Sequence, residues 1–220
     1  MRTPTEFNTF EVQEGFTHPQ FDDLRIGLQA YQSNRMSQTY SDLKENPDYY
    51  RIGKFFFDQI YGPKDFRFRD NGIRKLHQAL EGRIDGNILS AVDMVFDLQE
   101  LSEELDDRLV ERMIIHGYGA ELSSTQYETI YRDLDNFDQR MAQIELATDS
   151  VLEFHRFSKK WFVGVSLKTA RSASRLMGLG RIMDFVYEGY LAFRSINDIQ
   201  NFTDTIRSRE EAFNKYIWPE

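Results

Sequence analysis

Apolar residues recur at spacings of three and four along most of the chain, which is the pattern of amphipathic helices. The clearest run is Leu98, Leu101, Leu105, Leu109 and Met113. Proline is absent from residues 64–218. That gap suits helices and central strands equally, so the periodicity decides between them. We therefore predict an all-α protein.

Capping residues and glycines divide this pattern into seven or eight helices. Asn46 before Pro47 marks one start, and Gly117 marks the end of a long helix. The predicted helices span approximately residues 46–62, 65–82, 87–116, 123–157 with a candidate break near Asp135, 159–177, 180–195 and 197–216. We expect an irregular multi-helix bundle of about seven helices. Residues 1–18 form an N-terminal extension, a candidate mobile segment, and residues 19–218 a single all-α domain.

The predicted helix after Asn46 is rich in aromatic residues. Its apolar residues cover a broad arc that includes Tyr49, Ile52, Phe56, Phe57 and Tyr61. Aromatic side chains bury large areas, so core packing is the favoured interpretation of this helix. Phe56, Phe57 and Tyr61 remain candidates for the lining of a ligand pocket.

The run of residues 55–66, FFFDQIYGPKDF, resembles the signature of the bacterial protein family named for its FFLEELY motif. The chain departs from the motif at positions 57–60, where Phe, Asp-Gln and Ile replace a leucine, an acidic pair and a second leucine. The resemblance extends over approximately residues 20–215. The family has no assigned activity, so the resemblance implies a recurring helical fold and no catalytic residues.

Composition and charge narrow the class of protein. The chain has 220 residues, of which 40% are hydrophobic, and it contains no cysteine. These values fit a compact globular fold and exclude disordered, collagenous and disulfide-rich classes. The formal net charge of −9 disfavours general nucleic-acid binding. We find no secretory signal and no apolar run long enough for a membrane span, so we expect a cytoplasmic protein without a transmembrane segment.

Catalytic and metal-binding motifs are absent from the sequence. No histidine has an acidic residue three positions before it, which disfavours a carboxylate-bridged di-iron site. Neither a Gly-x-Ser-x-Gly elbow nor a glycine-rich phosphate loop occurs. Carboxylates cluster around residues 100–111, but such runs are usually solvated helix faces. We therefore predict no catalytic residue, no metal ligand and no cofactor, with His116 and His155 as the remaining candidates for a general base.

Charge is segregated along the chain. Residues 85–153 carry 17 acidic and 4 basic side chains, whereas residues 154–182 carry 7 basic side chains and no acidic one. On one continuous helix, six of these cations fall within an arc of about 140°. They form a predicted basic stripe of Arg156, Lys160, Lys168, Arg171, Arg175 and Arg181. Trp161, Phe162 and Val165 fall on the opposite, apolar arc of that helix.

Three interpretations of the basic stripe remain open. It can pack against the acidic helices of the same chain, which is favoured by a ridge of small residues at Ser166, Ala170, Ser174 and Gly178. It can recognise an anionic partner, because arginine forks bind carboxylates and phosphates. It can also dock on an anionic membrane with Trp161 and Phe162 in the interface.

We expect a non-catalytic binding or interaction module that recognises an acidic protein or an anionic small molecule through the basic stripe. The alternative is an enzyme that acts on an anionic metabolite in an interhelical pocket. Homo-oligomerisation is open under either hypothesis.

Overall fold

The computed structural model describes residues 20–56, 86–174 and 180–219, and these residues form helices without any strand. The nine helices are α1 Phe21–Thr39, α2 Ser41–Glu45, α3 Tyr50–Phe55, α4 Gly86–His116, α5 Ser124–Asp133, α6 Phe137–Ser158, α7 Trp161–Ser174, α8 Gly180–Ser195 and α9 Ile199–Ile217. The predicted all-α class is confirmed. The predicted helix at 65–82 lies outside the described residues.

The described residues contain nine helices rather than about seven, because the sequence pattern did not predict α1 and α2 and because the predicted segment 123–157 divides into α5 and α6. The apolar stripe of α1 is narrow: only Leu24 and Leu28 are buried along its 19 residues. Ile26 interrupts the pattern, since 65% of its surface is exposed. Tertiary packing rather than periodicity therefore determines this helix.

Local signals place the ends of the middle helices. At the start of α5, Ser123 accepts a hydrogen bond from the Gln126 backbone, and the Gln126 side chain accepts one from the Ser123 backbone. This capping box satisfies two backbone donors that the helix cannot pair itself. At the end of α4, Gly117 has a φ of 66°, the left-handed conformation that closes helices. The predicted break is confirmed at Asp135, which has a φ of 46° between α5 and α6.

The start of α3 differs from the prediction. The Asn46 side chain accepts a hydrogen bond from the Asp48 backbone at 2.9 Å, and the Tyr49 backbone donates to the Asn46 carbonyl at 3.0 Å. Residues 47–49 therefore form a turn, and the helix begins at Tyr50. The predicted end of this helix at Gly62 lies outside the described residues.

Two clusters of apolar side chains form the core. The first lies where α3, α8 and α9 meet and includes Tyr49, Ile52, Phe55, Phe193 and Phe202. The second lies where α1, α4, α5 and α9 meet and includes Leu28, Leu109, Met113, Ile130 and Ile217. Helix α6 packs against α4, α8 and α9, and so connects the two clusters.

Gly27 allows α1 to approach the connection between α4 and α5. A Cβ atom at this position would lie 2.1 Å from the carbonyl oxygen of Ala120. The obstructing atom belongs to the backbone, so rotation of a side chain cannot relieve the clash. Gly27 is thus a packing requirement of the α1 interface.

Helix α1 supplies a cationic partner to the acidic helix α4. Arg25 forms an ion pair with Asp107 at 2.8 Å, and the Gln32 side chain donates to Asp106 at 2.9 Å. The basic segment does not supply these contacts, because α7 packs mainly on α8. Within the described ranges, no helix has the length and apolar character needed to cross a membrane.

Candidate functional site

The predicted basic stripe does not lie on one helix, so that premise is wrong. Arg156 is in the last turn of α6, Lys168 is on α7 and Arg181 is on α8, while Lys160 lies in the break between α6 and α7. At this break, the Lys159 ammonium donates to the carbonyls of residues 194 and 196, around the end of α8. Arg175 lies outside the described residues.

Several cations of the predicted stripe have partners close to them. Arg156 pairs with Glu153 of its own helix at 2.5 Å. Arg171 pairs with Asp184 of α8 at 2.5 Å, and its guanidinium lies 4.9 Å from the centre of the Tyr187 ring. Arg171 therefore ties α7 to α8.

The two lysines of the stripe differ from these arginines. The Lys160 ammonium lies 4.9 Å from the centre of the Phe157 ring. Lys168 is exposed, and among the described residues its ammonium takes part in no hydrogen bond or ion pair. Helix α7 itself contains no acidic residue.

The side of α7 that carries Trp161, Phe162 and Val165 faces solvent. Trp161 is 76% exposed, Val165 is 56% exposed and Phe162 is 39% exposed. The side that packs on α8 contains small residues instead. A Cβ at Gly164 would lie 2.3 Å from the Tyr190 hydroxyl, so this glycine permits the close contact.

We call the exposed residues Trp161, Phe162, Val165 and Lys168, together with the half-buried Lys160 just before them, the α7 surface. It combines aromatic and aliphatic area with cations. Of the predicted small-residue ridge, Ser174 is buried and Ser166 is exposed, so only part of the ridge takes part in packing.

Of the aromatic candidates for a pocket, Phe56 packs in the first core cluster. Its ring lies 6.0 Å from the Phe193 ring and 6.3 Å from the Phe202 ring. This agrees with the favoured interpretation of core packing. Phe57 and Tyr61 lie outside the described residues.

A group of polar side chains between α1, α4, α5, α6 and α9 was not identified from the sequence. Arg35 of α1 donates to Glu210 of α9 at 2.7 Å, and the Tyr40 hydroxyl donates to the same carboxylate at 2.7 Å. Burial alone would lower the pKa of Arg35, but the charge of Glu210 raises the pKa above its ordinary value. Arg35 therefore stays charged although most of its side chain is buried.

Arg140 and Asn136 are the most buried members of this group on α6. Arg140 is 4% exposed and Asn136 is 7% exposed. Arg140 donates from Nη1 to the Gln143 side chain at 3.1 Å, whereas its Nε and Nη2 have no hydrogen-bond partner. Neither amide atom of the Asn136 side chain has one. Buried polar groups are normally paired, so these atoms require an explanation.

The acids and phenols around these residues respond to the low polarity of the interior. Burial raises the pKa of Asp106, although the Gln32 hydrogen bond and the charge of Arg140 oppose that shift. Burial also raises the pKa of Tyr127 and of Tyr131, so both phenols are neutral at physiological pH.

One signal in the sequence could have identified the buried charges. Arg140 lies within the apolar stripe of α6, three residues after Phe137 and four before Ile144. Glu210 likewise lies within the apolar stripe of α9, four residues after Ile206 and three before Phe213. A charge at an inward position of an amphipathic helix is rarely buried without a partner or a function.

The two histidine candidates have different surroundings. His116 Nε2 lies 2.6 Å from Asp133 Oδ2 at the protein surface. His155 Nε2 is 3.1 Å from the Ile196 carbonyl, and burial lowers the pKa of His155. Among the residues that the structure describes, no three side chains of His, Asp or Glu are arranged to hold a metal ion.

Comparison with known families places most of the chain in a described family. A family model described as a domain of unknown function, DUF8198, matches residues 12–219. No curated protein and no solved structure matches the chain. The family description names no substrate and no functional residue.

Proposed function

We propose that this chain, which belongs to the family of domains of unknown function DUF8198, is a non-catalytic binding module for an acidic protein segment. The α7 surface makes the contact in this proposal. The observation that carries it is the exposure of Trp161: 76% of the surface of this large aromatic residue is accessible to solvent. Clustered exposed apolar groups of this kind are typical of interaction sites.

The exposure of the α7 surface favours a macromolecular partner over a small molecule. Trp161, Phe162 and Val165 follow one another within about one turn of helix. Small ligands are usually enclosed on most sides, and side chains as exposed as these enclose little volume. Protein interfaces instead use tryptophan and other aromatic residues as anchors that enter a pocket of the partner.

Charge favours an acidic partner. Lys160 and Lys168 flank the apolar groups, and residues 154–182 contain no acidic side chain. Carboxylates of a partner would therefore meet Lys160 and Lys168, neither of which forms an ion pair with an acidic side chain of the described residues. An anionic membrane fits less well, because the net charge of −9 repels an extended anionic surface at long range. A protein segment interacts chiefly with the local positive field.

The two tryptophans of the chain provide an optical test. Trp218 packs against the rings of Tyr131 and Phe137, so the conservative variant Trp218→Phe leaves Trp161 as the single reporter. A short helical peptide of leucine and glutamate serves as the probe. Saturable binding should shift Trp161 emission to the blue and protect it from acrylamide. A matched peptide with lysine in place of glutamate should have no effect.

Surface variants identify the contact, with binding followed by anisotropy of the labelled acidic peptide. Trp161→Ala should weaken binding by about thirtyfold or more, as for a hot-spot residue worth about 2 kcal/mol. Lys168→Glu should weaken it about tenfold, since it replaces attraction with repulsion. Ile115→Ala is the matched control, because Ile115 is 68% exposed on another helix.

Three results would overturn this proposal. The first is peptide binding that Trp161→Ala leaves unchanged. The second is a Trp161 shift with phosphatidylserine vesicles but not with the acidic peptide, which would identify a membrane surface instead. The third is a shift that depends on protein concentration alone, which would identify self-association.

The proposal also covers the domain organisation and the location of the protein. We propose that residues 19–218 act as one all-α domain located in the cytoplasm. The likeness of residues 55–66 to the FFLEELY motif supports a relation between the two families without adding an activity.

A further inference from the structure

We propose that Arg140 and Asn136, at the start of α6, form a binding site for a small organic molecule that carries a carboxylate with a hydroxyl beside it. This site is separate from the α7 surface. It rests on buried polar atoms that nothing in the protein satisfies.

Arg140 offers one complete edge of its guanidinium. The two unpaired atoms, Nε and Nη2, are the adjacent donors on one side of the planar group. Nη1, on the other side, is already used by Gln143 at 3.1 Å. Two parallel N–H groups match the two oxygens of a carboxylate, which is the strongest pairing available to arginine.

The guanidinium is held in place before any ligand arrives. It lies 4.4 Å from the centre of the Tyr131 ring. The Tyr131 hydroxyl in turn donates to Asn214 at 3.1 Å, and Asn214 is 1% exposed. A side chain fixed in this way loses little conformational freedom on binding.

Asn136 supplies the second recognition element. It occupies the N-cap position of α6, yet its side chain makes no capping hydrogen bond. The Arg140 backbone donates to the Asn136 carbonyl at 3.1 Å, so the two residues are one helical turn apart. The free amide contains a donor and an acceptor, and a hydroxyl can pair with both. The N-terminus of α6 adds a partial positive charge that favours an anion.

The charge around the site favours a carboxylate over a phosphate. Arg140 is one cation, and the charge of Asp106 acts on it from α4. The half-buried Arg35 is already paired with Glu210. A single negative charge is therefore balanced better than the double charge of a phosphate group.

The test uses the full chain with sodium lactate, acetate and phosphate as probes, each compared with sodium chloride at equal ionic strength. Thermal unfolding and calorimetry should show saturable binding of lactate, with weaker binding of acetate and phosphate. Arg140→Lys should weaken lactate binding at least tenfold, because an ammonium cannot form the paired contact. Asn136→Ala should reduce lactate affinity to that of acetate.

Arg140→Met separates binding from folding. It should abolish the response to lactate while its Tm in chloride stays at or above that of the wild type, since methionine fills the space without an unpaired charge. Asp106→Asn should strengthen lactate binding several-fold by removing a nearby negative charge. Arg108→Met is the matched control, because Arg108 is a partly exposed arginine that already pairs with Gln139 at 3.1 Å.

Each of three outcomes would overturn the assignment. The first is that lactate stabilises the protein no more than chloride does. The second is that the response to lactate persists in Arg140→Lys and in Arg140→Met. The third is that phosphate binds more tightly than lactate, which would point to another class of ligand than a carboxylate.

Discussion

The ion pair between Arg35 and Glu210 connects the first and last helices of the described structure, and its loss should be costly. Arg35 Nη2 lies 2.7 Å from Glu210 Oε2, and the Tyr40 hydroxyl donates to Oε1 of the same carboxylate at 2.7 Å. The side chains are only 21% and 15% exposed. The variant Glu210→Gln keeps the size of the side chain but removes the charge that Arg35 requires.

The burial of the pair sets the size of the effect. Removing one partner of a fully buried ion pair costs about 3–5 kcal/mol, because the other charge remains without compensation. Arg35 keeps about a fifth of its surface in water, so we expect about 2–4 kcal/mol for Glu210→Gln. The double variant Arg35→Met/Glu210→Met should recover at least about 2 kcal/mol of that loss, since no buried charge is left.

Urea unfolding followed by circular dichroism measures these differences at constant m-value. The neighbouring variant Glu211→Gln is the control. Glu211 pairs at 3.7 Å with Lys215, which is 67% exposed, so its loss should cost less than about 0.5 kcal/mol. Equal stabilities of Glu210→Gln and Glu211→Gln would refute the buried pair. A double variant less stable than Glu210→Gln would refute the explanation by uncompensated charge.

Three further predictions follow from single contacts. Gly27→Ala should lower the free energy of unfolding, measured with urea, by about 2–3 kcal/mol, because the added Cβ would lie 2.1 Å from the Ala120 carbonyl oxygen. An unchanged free energy of unfolding would contradict this close approach. Arg171→Glu should lower the free energy of unfolding by roughly 1 kcal/mol, because the ion pair with Asp184 is lost. Lys168→Glu should lower it by less, and equal losses would show that Arg171 has no special structural role. Burial lowers the pKa of His155 from 6.5, so its contribution to stability is complete above that pH and is lost as the pH falls through the lowered pKa. His155→Gln should therefore flatten the decline in unfolding free energy between about pH 7 and pH 5, whereas an unchanged slope would contradict a neutral, partly buried imidazole.

Local signals predicted the parts of the fold that short-range physics determines. Ser123 caps α5 because its hydroxyl reaches a backbone donor three residues away, and Gly117 ends α4 because glycine tolerates a positive φ. Such features depend on a few neighbouring residues and are visible in the sequence. The sequence pattern did not predict helix α1, because its position depends on contacts between residues that are far apart in sequence, such as Gly27 and Ala120.

The candidate sites were harder to predict because periodicity identifies a helix face but not its neighbour. The pattern placed Trp161 on the apolar side of α7, and packing would normally bury that side. The side of α7 that contains Gly164 packs on Tyr190 instead, and Trp161 is left in solvent. Arg140 shows the reverse case: a residue type usually found in solvent is 4% exposed.

The exposure of Trp161 is the premise of the proposed binding surface, and quenching of its fluorescence tests that premise most directly. In the Trp218→Phe variant without any partner, Trp161 should emit like an indole in water, and acrylamide should quench it nearly as efficiently as free tryptophan. A blue-shifted emission protected from acrylamide in the isolated, monomeric protein would show that the α7 surface is already covered, and would contradict the proposed function.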